Sequence, residues 1–275
     1  MKRMKEGAAV ATVAPVDLPL ELTAQERVES FMRRAQLLTF VGRGARGKST
    51  LARFVIERAR AGGRCVLVLD ADRINATLAG AFPDAIVPES GDDTDVETTV
   101  AGLVERISET GENAVLDLGG GDTNLRRFAA EMDFRTWLPS IGIEPVAIHV
   151  MGASPDDCSA LALAEEGGLL AFPKTILVFN EGIVPIGQSP TAAFSRAVQE
   201  QPIVRQTLER GARLCVMPRL GPLFEIEDRG LTFADAAANT APSGIDPLGK
   251  WRAQQVTVWL RKMAENLSDV EGWLP

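Results

Sequence analysis

Leu37-Leu-Thr-Phe-Val41-Gly42-Arg-Gly-Ala-Arg-Gly47-Lys48-Ser49-Thr50 is the stretch whose reading decides the fold. A short apolar run enters a loop of the form Gly-x4-Gly-Lys-[Ser/Thr], and a helix-length segment follows. Gly42, Gly44 and Gly47 permit tight dihedrals and let main-chain amides approach an anion without a Cβ in the way. A helix starting near Lys48 aims unpaired N–H groups, and its positive dipole end, at the same point. Lys48 adds a point charge for the β and γ oxygens of a bound phosphate chain, and the Ser49 hydroxyl adds a ligand for Mg²⁺. The chain has six lysines against twenty-three arginines, so a lysine at the required position is less readily put down to compositional drift.

Outward from this loop, short apolar runs alternate with helix-length stretches. The runs are Leu37–Val41, Cys65–Leu69, Ala114–Leu118, Val146–Val150, Thr175–Phe179 and Leu214–Met217. Between them lie helical stretches at Lys48–Arg60, Val96–Glu109, Thr123–Phe134, Pro155–Glu166 and Pro190–Arg210. Continuous rather than alternating apolar strands imply burial on both faces. Strand–helix alternation then implies an α/β fold, a mainly parallel sheet with helices on both sides in three layers. Residues 1–20 read as a flexible tail and 21–275 as one domain. Thr23–Gln36 reads as a helix, with Thr23 as cap and Glu26 closing a capping box. Residues 219–247, punctuated by Pro222, Gly230, Pro242, Gly244 and Pro247, read as irregular. Leu248, Trp251, Val256, Trp259, Leu260, Met263 and Leu267 follow helical spacing, a C-terminal helix over 248–267 docked on the sheet. Lys250, Arg252, Arg261 and Lys262 would suit a membrane-surface helix instead, against Glu265, Asp269 and Glu271.

Composition bounds the function classes. With 275 residues, 45% hydrophobic and 24% charged, the chain is an ordinary globular one rather than a disordered one. Apolar runs stay far below the ~20 residues that span a bilayer. A net charge of −8 argues against general nucleic-acid binding through bulk charge. Cys65, Cys158 and Cys215 form neither a disulfide framework nor a zinc site, and read as small buried hydrophobes in a reducing cytoplasm. His149 closes an apolar strand and reads as a satisfied core or strand-end histidine without a catalytic role.

A phosphate loop of this kind needs carboxylates at neighbouring strand ends to hold Mg²⁺ and orient an attacking water. Val66-Leu-Val-Leu-Asp70-Ala-Asp72 places Asp70 and Asp72 at the carboxyl end of the second strand. Ala114-Val-Leu-Asp117-Leu-Gly119-Gly120-Gly121 places Asp117 likewise, followed by glycines able to move with a γ-phosphate. Ligands of open α/β sheets bind at the carboxyl ends of the strands, so all three face the loop side.

These residues together resemble the deviant Walker A ATPases of the ParA/MinD superfamily, over about residues 37–218. Within that group, Asp70-Ala-Asp-Arg-Ile-Asn75-Ala-Thr77 resembles the TraL-like conjugal transfer ATPases. The resemblance implies that Gly42, Arg43, Gly44, Ala45, Arg46, Gly47, Lys48, Ser49 and Thr50 bind the phosphates of ATP or ADP, with Mg²⁺ held by Ser49 and, partly through water, by Asp117. It implies that Asp72 positions the attacking water, that Asn180 reads adenine and that Pro218, in Val216-Met-Pro218-Arg, closes a wall around the base. The family's signature lysine, which crosses to the partner subunit, falls at Arg43, where arginine keeps the charge but not lysine's geometry. Arg46 usually has a small apolar counterpart; here it is left between solvent, a phosphate and a partner subunit. The implied activity is slow ATP hydrolysis carried by Lys48, Asp72, Asp117 and Arg43. An ATP-dependent homodimer would position cargo or load a transfer machine in the cytoplasm, with a protein partner, DNA a possible one and membrane disfavoured. Two other readings compete: a small-molecule kinase, with Arg126 and Arg127 as lid arginines, and a nucleotide-binding adaptor without turnover.

Overall fold

The structure, a computed structural model, describes residues 34–72, 76–119, 123–168 and 170–275. Six strands form one sheet: β1 (Ala35–Val41), β2 (Val66–Asp70), β3 (Asn113–Asp117), β4 (Ile143–Met151), β5 (Lys174–Asn180) and β6 (Arg213–Met217). Their order is β2-β3-β1-β4-β5-β6, and every pairing is parallel. The helices are α1 (Lys48–Ala61), α2 (Thr77–Ala81), α3 (Asp93–Thr110), α4 (Thr123–Glu131), α5 (Phe134–Ser140), α6 (Pro155–Glu165), α7 (Pro190–Glu200), α8 (Pro202–Glu209), α9 (Leu223–Asp228), α10 (Phe233–Ala238) and α11 (Lys250–Asn266).

Strand residues alternate between two cores, which is why the runs read as continuous rather than amphipathic. Leu38, Phe40, Val68, Val115, Ile148 and Val178 pack with α1, α2 and the C-terminal helices α9–α11. Leu37, Leu69, Leu116 and Ala147 pack with α3, α4 and α5 on the opposite face. Leu177 and Phe179 meet α6, α7 and α8 on that second face. The fold is α/β in three layers, an all-parallel sheet with helices on both faces. The chain leaves β1 for β2 on one side and later returns to β4 on the other, so β1 stands at the switch point of the sheet. The loop after β1 therefore opens into the crevice where such folds take their ligands.

Several boundaries differ from those expected, each for a local reason. Ala35 and Gln36 belong to β1, where Gln36 pairs with Glu144, so the N-terminal helix does not extend to Gln36. The rest of that expected helix, with the expected tail over 1–20, lies outside the described residues. Strand β4 starts three residues early. It takes in Pro145 because pairing with β5 begins only at Val146, where β4 gains its second neighbour. The expected helix over 123–134 breaks at Asp133, whose φ of 44° is left-handed. The one over 190–210 breaks at Pro202, which opens α8.

Segment 219–247 is not irregular throughout: Pro222 and Gly230 stand at helix ends, whereas Pro242, Gly244 and Pro247 lie in the loop before α11. Gly230 has φ 60° and follows α9. Thr232 caps α10 by accepting from the Asp235 amide, and Asn239 closes it at φ 56°. Glu57 on α1 holds this segment down, accepting from the Phe233 amide at 2.7 Å and from Arg53 Nε at 2.7 Å. Arg53 also donates to the Leu231 carbonyl and lies over the Phe233 ring. Helix α11 buries Ala253, Val256, Trp259 and Met263, while Trp251 stays exposed. Cys158 and Cys215 are buried but Cys65, one residue before β2, is exposed, which corrects its reading as a buried hydrophobe. Among the described residues no helix is long and apolar enough to cross a membrane.

Candidate functional site

A cavity of about 660 Å³ opens at the carboxyl ends of the strands. Gly44 to Thr50, Asp72, Asn180 and Pro218 line it, whereas Gly42, Arg43 and Asp117 do not. Gly42 is required by close approach: a Cβ there would fall 2.4 Å from the Val150 carbonyl oxygen on β4. Gly47, at φ 90°, would put a Cβ 2.6 Å from Asn180 Nδ2 and 2.9 Å from the Met217 methyl. Gly44 differs from its expected role, since a Cβ there meets nothing within 4 Å. The left-handed turn falls instead on Ala45, at φ 57°.

Helix α1 starts at Lys48 without a side-chain cap, and its first backbone bond runs from the Leu51 amide to the Gly47 carbonyl at 3.0 Å. The amides before Leu51 therefore lack partners within the helix, the arrangement that suits an anion. Lys48 is buried, its ammonium donating to the Arg43 carbonyl at 3.4 Å. Ser49 Oγ donates to Asp117 Oδ2 at 2.6 Å, joining the loop to the end of β3. The other carboxylate oxygen of Asp117 is buried without a hydrogen-bond partner. Burial pushes the Asp117 carboxyl up to about 6, against the lowering effect of the Ser49 hydroxyl and Lys48; Asp70 and Asp72 raise it further. A divalent cation beside Ser49 would satisfy the orphaned oxygen and stabilise the charged form. Among the described residues, no three His, Cys, Asp or Glu side chains converge to hold a metal by themselves. Ser49 and Asp117 would therefore share such an ion with phosphate oxygens and water.

Asp70 and Asp72 part company. Asp70 is buried, and its carboxylate accepts from the Asp72 amide at 3.1 Å and the Ala79 amide at 2.9 Å. It thus ties β2 to the start of α2, and burial raises its carboxyl above the ordinary range. Asp72 lines the cavity opposite Gly119, where a Cβ would lie 3.7 Å from its carboxylate. The two acidic strand ends are neighbours in the sheet, Asp70 pairing in register with Asp117.

Asn180 ends β5 with both halves of its amide engaged. Its Nδ2 donates to the Arg46 carbonyl at 2.9 Å, and its Oδ1 accepts from the Gly182 amide at 2.7 Å. It braces the phosphate loop from behind. The opposite wall, Met217 to Gly221, is buttressed by α11: Trp259 Nε1 donates to the Pro218 carbonyl at 2.8 Å, and Asn266 Nδ2 to the Val216 carbonyl at 2.8 Å. Arg219 staples this wall to the turn after β5, donating to the carbonyls of Glu181 and Val184. Sequence reasoning passed over Arg219, although it directly follows the quoted Pro218.

Both loop arginines meet acids at the start of α6. Arg43 Nη1 lies 3.1 Å from Asp156 Oδ2 on the surface, and Arg46 Nε lies 2.6 Å from Asp157 Oδ1, whose side chain is 2% exposed. Sequence reasoning missed Asp156 and Asp157; two adjacent acids after a Ser-Pro helix start carry no signal beyond dipole compensation. Arg127, one of the two lid arginines of the kinase reading, instead pairs with Asp93 at 3.0 Å on α3. The side chain of Arg126 lies outside the described residues. His149 is buried, but its Nε2 lacks a hydrogen-bond partner, so it is not the satisfied histidine expected. Burial, with Arg210 nearby, pushes it down to about 3, and it stands neutral 3.9 Å from Glu165.

No protein-family model matches the sequence, and no curated protein matches it. Solved structures do. FtsY from Mycoplasma mycoides is 15% identical over 70% of this chain and 67% of its own, with a TM-score of 0.41. Chloroplast FtsY from Physcomitrella patens is 16% identical over 82% of this chain and 65% of its own, at 0.45. The chain thus spans about two thirds of the length of these two FtsY chains. Cyanothece McdA, as an aspartate-to-alanine variant in complex with ATP, is 14% identical over 86% of this chain and 97% of its own, at 0.46. Likeness at this level bears on no function.

Proposed function

We propose that this chain is an ATP-dependent molecular switch of the ParA/MinD kind, binding ATP with Mg²⁺ and hydrolysing it slowly as a homodimer forms and parts. The observation that carries the reading is the 2.6 Å contact from Ser49 to Asp117, whose second oxygen is buried and unpartnered beside an amide-rich helix start. Amides of the 42–50 loop and Lys48 would hold the β and γ phosphates. Mg²⁺ bound beside Ser49 and Asp117 would supply neutralisation of phosphate charge. Asp72, across from Gly119, would orient the attacking water. In that reaction a water oxygen bonds to the γ phosphorus, the bond to the β-phosphate oxygen breaks, and a proton is released with the inorganic phosphate.

The base would lie between the Gly182–Ile183 turn and the Pro218–Gly221 wall, with Asn180 behind it. Arg43, half exposed and paired only at the surface, is the loop cation available to a second copy's phosphates. ATP with Mg²⁺ would promote a face-to-face dimer of two copies over two nucleotides, and slow hydrolysis would release it. Cargo partition or conjugal DNA transfer is the service such a switch would perform.

Size-exclusion with light scattering, run with ADP and with a non-hydrolysable ATP analogue, tests the proposal. A dimer with the analogue and a monomer with ADP support it. A monomer in both, with phosphate transfer to a metabolite, would favour the kinase.

A further inference from the structure

Arg46 is held at two points on opposite sides of the loop. Its carbonyl accepts from Asn180 on β5 at 2.9 Å, and its guanidinium donates to Asp157 on α6 at 2.6 Å. On either side of it, Ala45 stands at φ 57° and Gly47 at φ 90°. A left-handed alanine persists only where its surroundings hold it there. Asp157 is itself fixed: its second oxygen accepts from the Gly152 amide at 3.2 Å and from Ser154 Oγ at 2.6 Å. The carboxylate thereby joins the end of β4, the cap of α6 and the phosphate loop. The two arginine–aspartate pairs are unequal. Arg43 and Asp156 are 43% and 74% exposed, a pair readily exchanged for another anion. Freeing Arg46 would leave a buried carboxylate without its cation, which is far more costly.

We infer that Asp157 is a positioning residue for the phosphate loop: acting through Arg46, it holds residues 43–47 in their anion-receiving shape before any nucleotide arrives. Arg46 is therefore a brace that stays on Asp157, and not a phosphate clamp or a cation offered to a second subunit. The inference rests on the nucleotide-binding reading for its consequence, but the brace itself is measurable without nucleotide. A preformed loop meets its ligand without first paying the entropy of ordering, so removing the brace slows association.

Two readouts on the full chain test this: hydrogen exchange without nucleotide at the Leu51 amide, which donates to the loop carbonyl of Gly47 at 3.0 Å, and the association rate of a fluorescent ADP by stopped flow. Arg46→Met, Asp157→Asn and the double variant are compared with Ser154→Ala, which removes a bond to the same carboxylate but leaves Arg46 in place. The double variant buries no unpaired charge, so it reports even where a single variant folds poorly. Exchange is expected to rise, and association to slow, by about tenfold or more in the brace variants, the double variant being no worse than either single. Ser154→Ala lowers the melting temperature with both loop readouts within about twofold of wild type. Unchanged exchange in the double variant overturns the brace. So does faster ADP association in Asp157→Asn, which would mean that Asp157 withholds Arg46 from phosphate. A wild-type chain that binds no ADP, with exchange raised in the variants, would sink the nucleotide reading and leave the brace standing.

Discussion

At the phosphate end of the cavity, Gly42 to Thr50, Lys48 and Asp117 come from one strand, the helix after it and the neighbouring strand β3. At the base end, the wall Met217–Gly221 is held by Trp259 and Asn266 from α11 and stapled by Arg219 to the turn after β5. The first end is built on one contiguous loop, in which charge and backbone amides converge on an anion and to which Asp117 is joined from 68 residues away. The second has no such loop and is assembled from packing between segments 35 to 50 residues apart. The contrast teaches that the ends should fail separately: phosphate-end changes act on any polyphosphate, base-end changes only on nucleotides.

The largest effect is expected from Lys48→Ala, which removes the one buried ammonium at the loop and abolishes measurable binding of both ATP and inorganic tripolyphosphate by calorimetry. Retained tripolyphosphate binding would mean that the loop amides suffice alone. Asp72→Ala comes next: ATP binding persists while hydrolysis, followed as phosphate release, falls by about 100-fold and dimers accumulate. Loss of binding in that variant would put Asp72 in the phosphate site itself.

Asp117→Asn separates metal from phosphate. Its carboxyl, raised to about 6 by burial, carries more proton in the folded than in the unfolded chain between the ordinary carboxylate range and pH 6. Its contribution to stability is therefore full below that ordinary range and is lost as pH rises through about 6. The asparagine variant abolishes that loss and melts several degrees higher than wild type at pH 7.5, yet gains nothing from Mg²⁺ when it binds ATP. A variant with intact Mg²⁺ dependence would place the ion elsewhere.

The difference in legibility between the two ends has a physical cause. Gly42, Gly47, Lys48 and Ser49 lie within one turn of strand and helix, where residue type dictates backbone shape and charge without reference to the remainder of the chain. Asp117 was legible for a similar reason, since it ends an apolar run in a parallel sheet. Arg219, Asp157 and the helices α9 and α10 act across the fold. Pro222 and Gly230 look the same in a sequence whether they break a loop or end a helix, and only packing on Arg53 and Glu57 distinguishes the two. Gly44 shows the converse: a residue legible by pattern whose conformational freedom is used by its neighbour Ala45 instead.

Smaller effects belong to the base end. Arg219→Ala frees the wall from the Glu181 and Val184 carbonyls and should weaken ATP by about fivefold to tenfold, leaving tripolyphosphate unchanged. Equal weakening of both ligands would join the two ends into one unit. Trp259→Phe removes the bond to the Pro218 carbonyl and part of a buried ring packed on Phe54 and Phe233, costing about 2 kcal/mol or more of stability by denaturant titration, with a change in ATP affinity of no more than about twofold.

The most direct measurement is a calorimetric titration of tripolyphosphate and of ATP, with and without Mg²⁺, at pH 7.5 and pH 5. With Asp117 ionised at the higher pH, both ligands should bind and Mg²⁺ should tighten both. At pH 5, below about 6, Mg²⁺ should add little, because the ion must displace a proton from Asp117. Binding of neither ligand, or an Mg²⁺ effect indifferent to pH, would contradict a phosphate site built on Ser49 and Asp117.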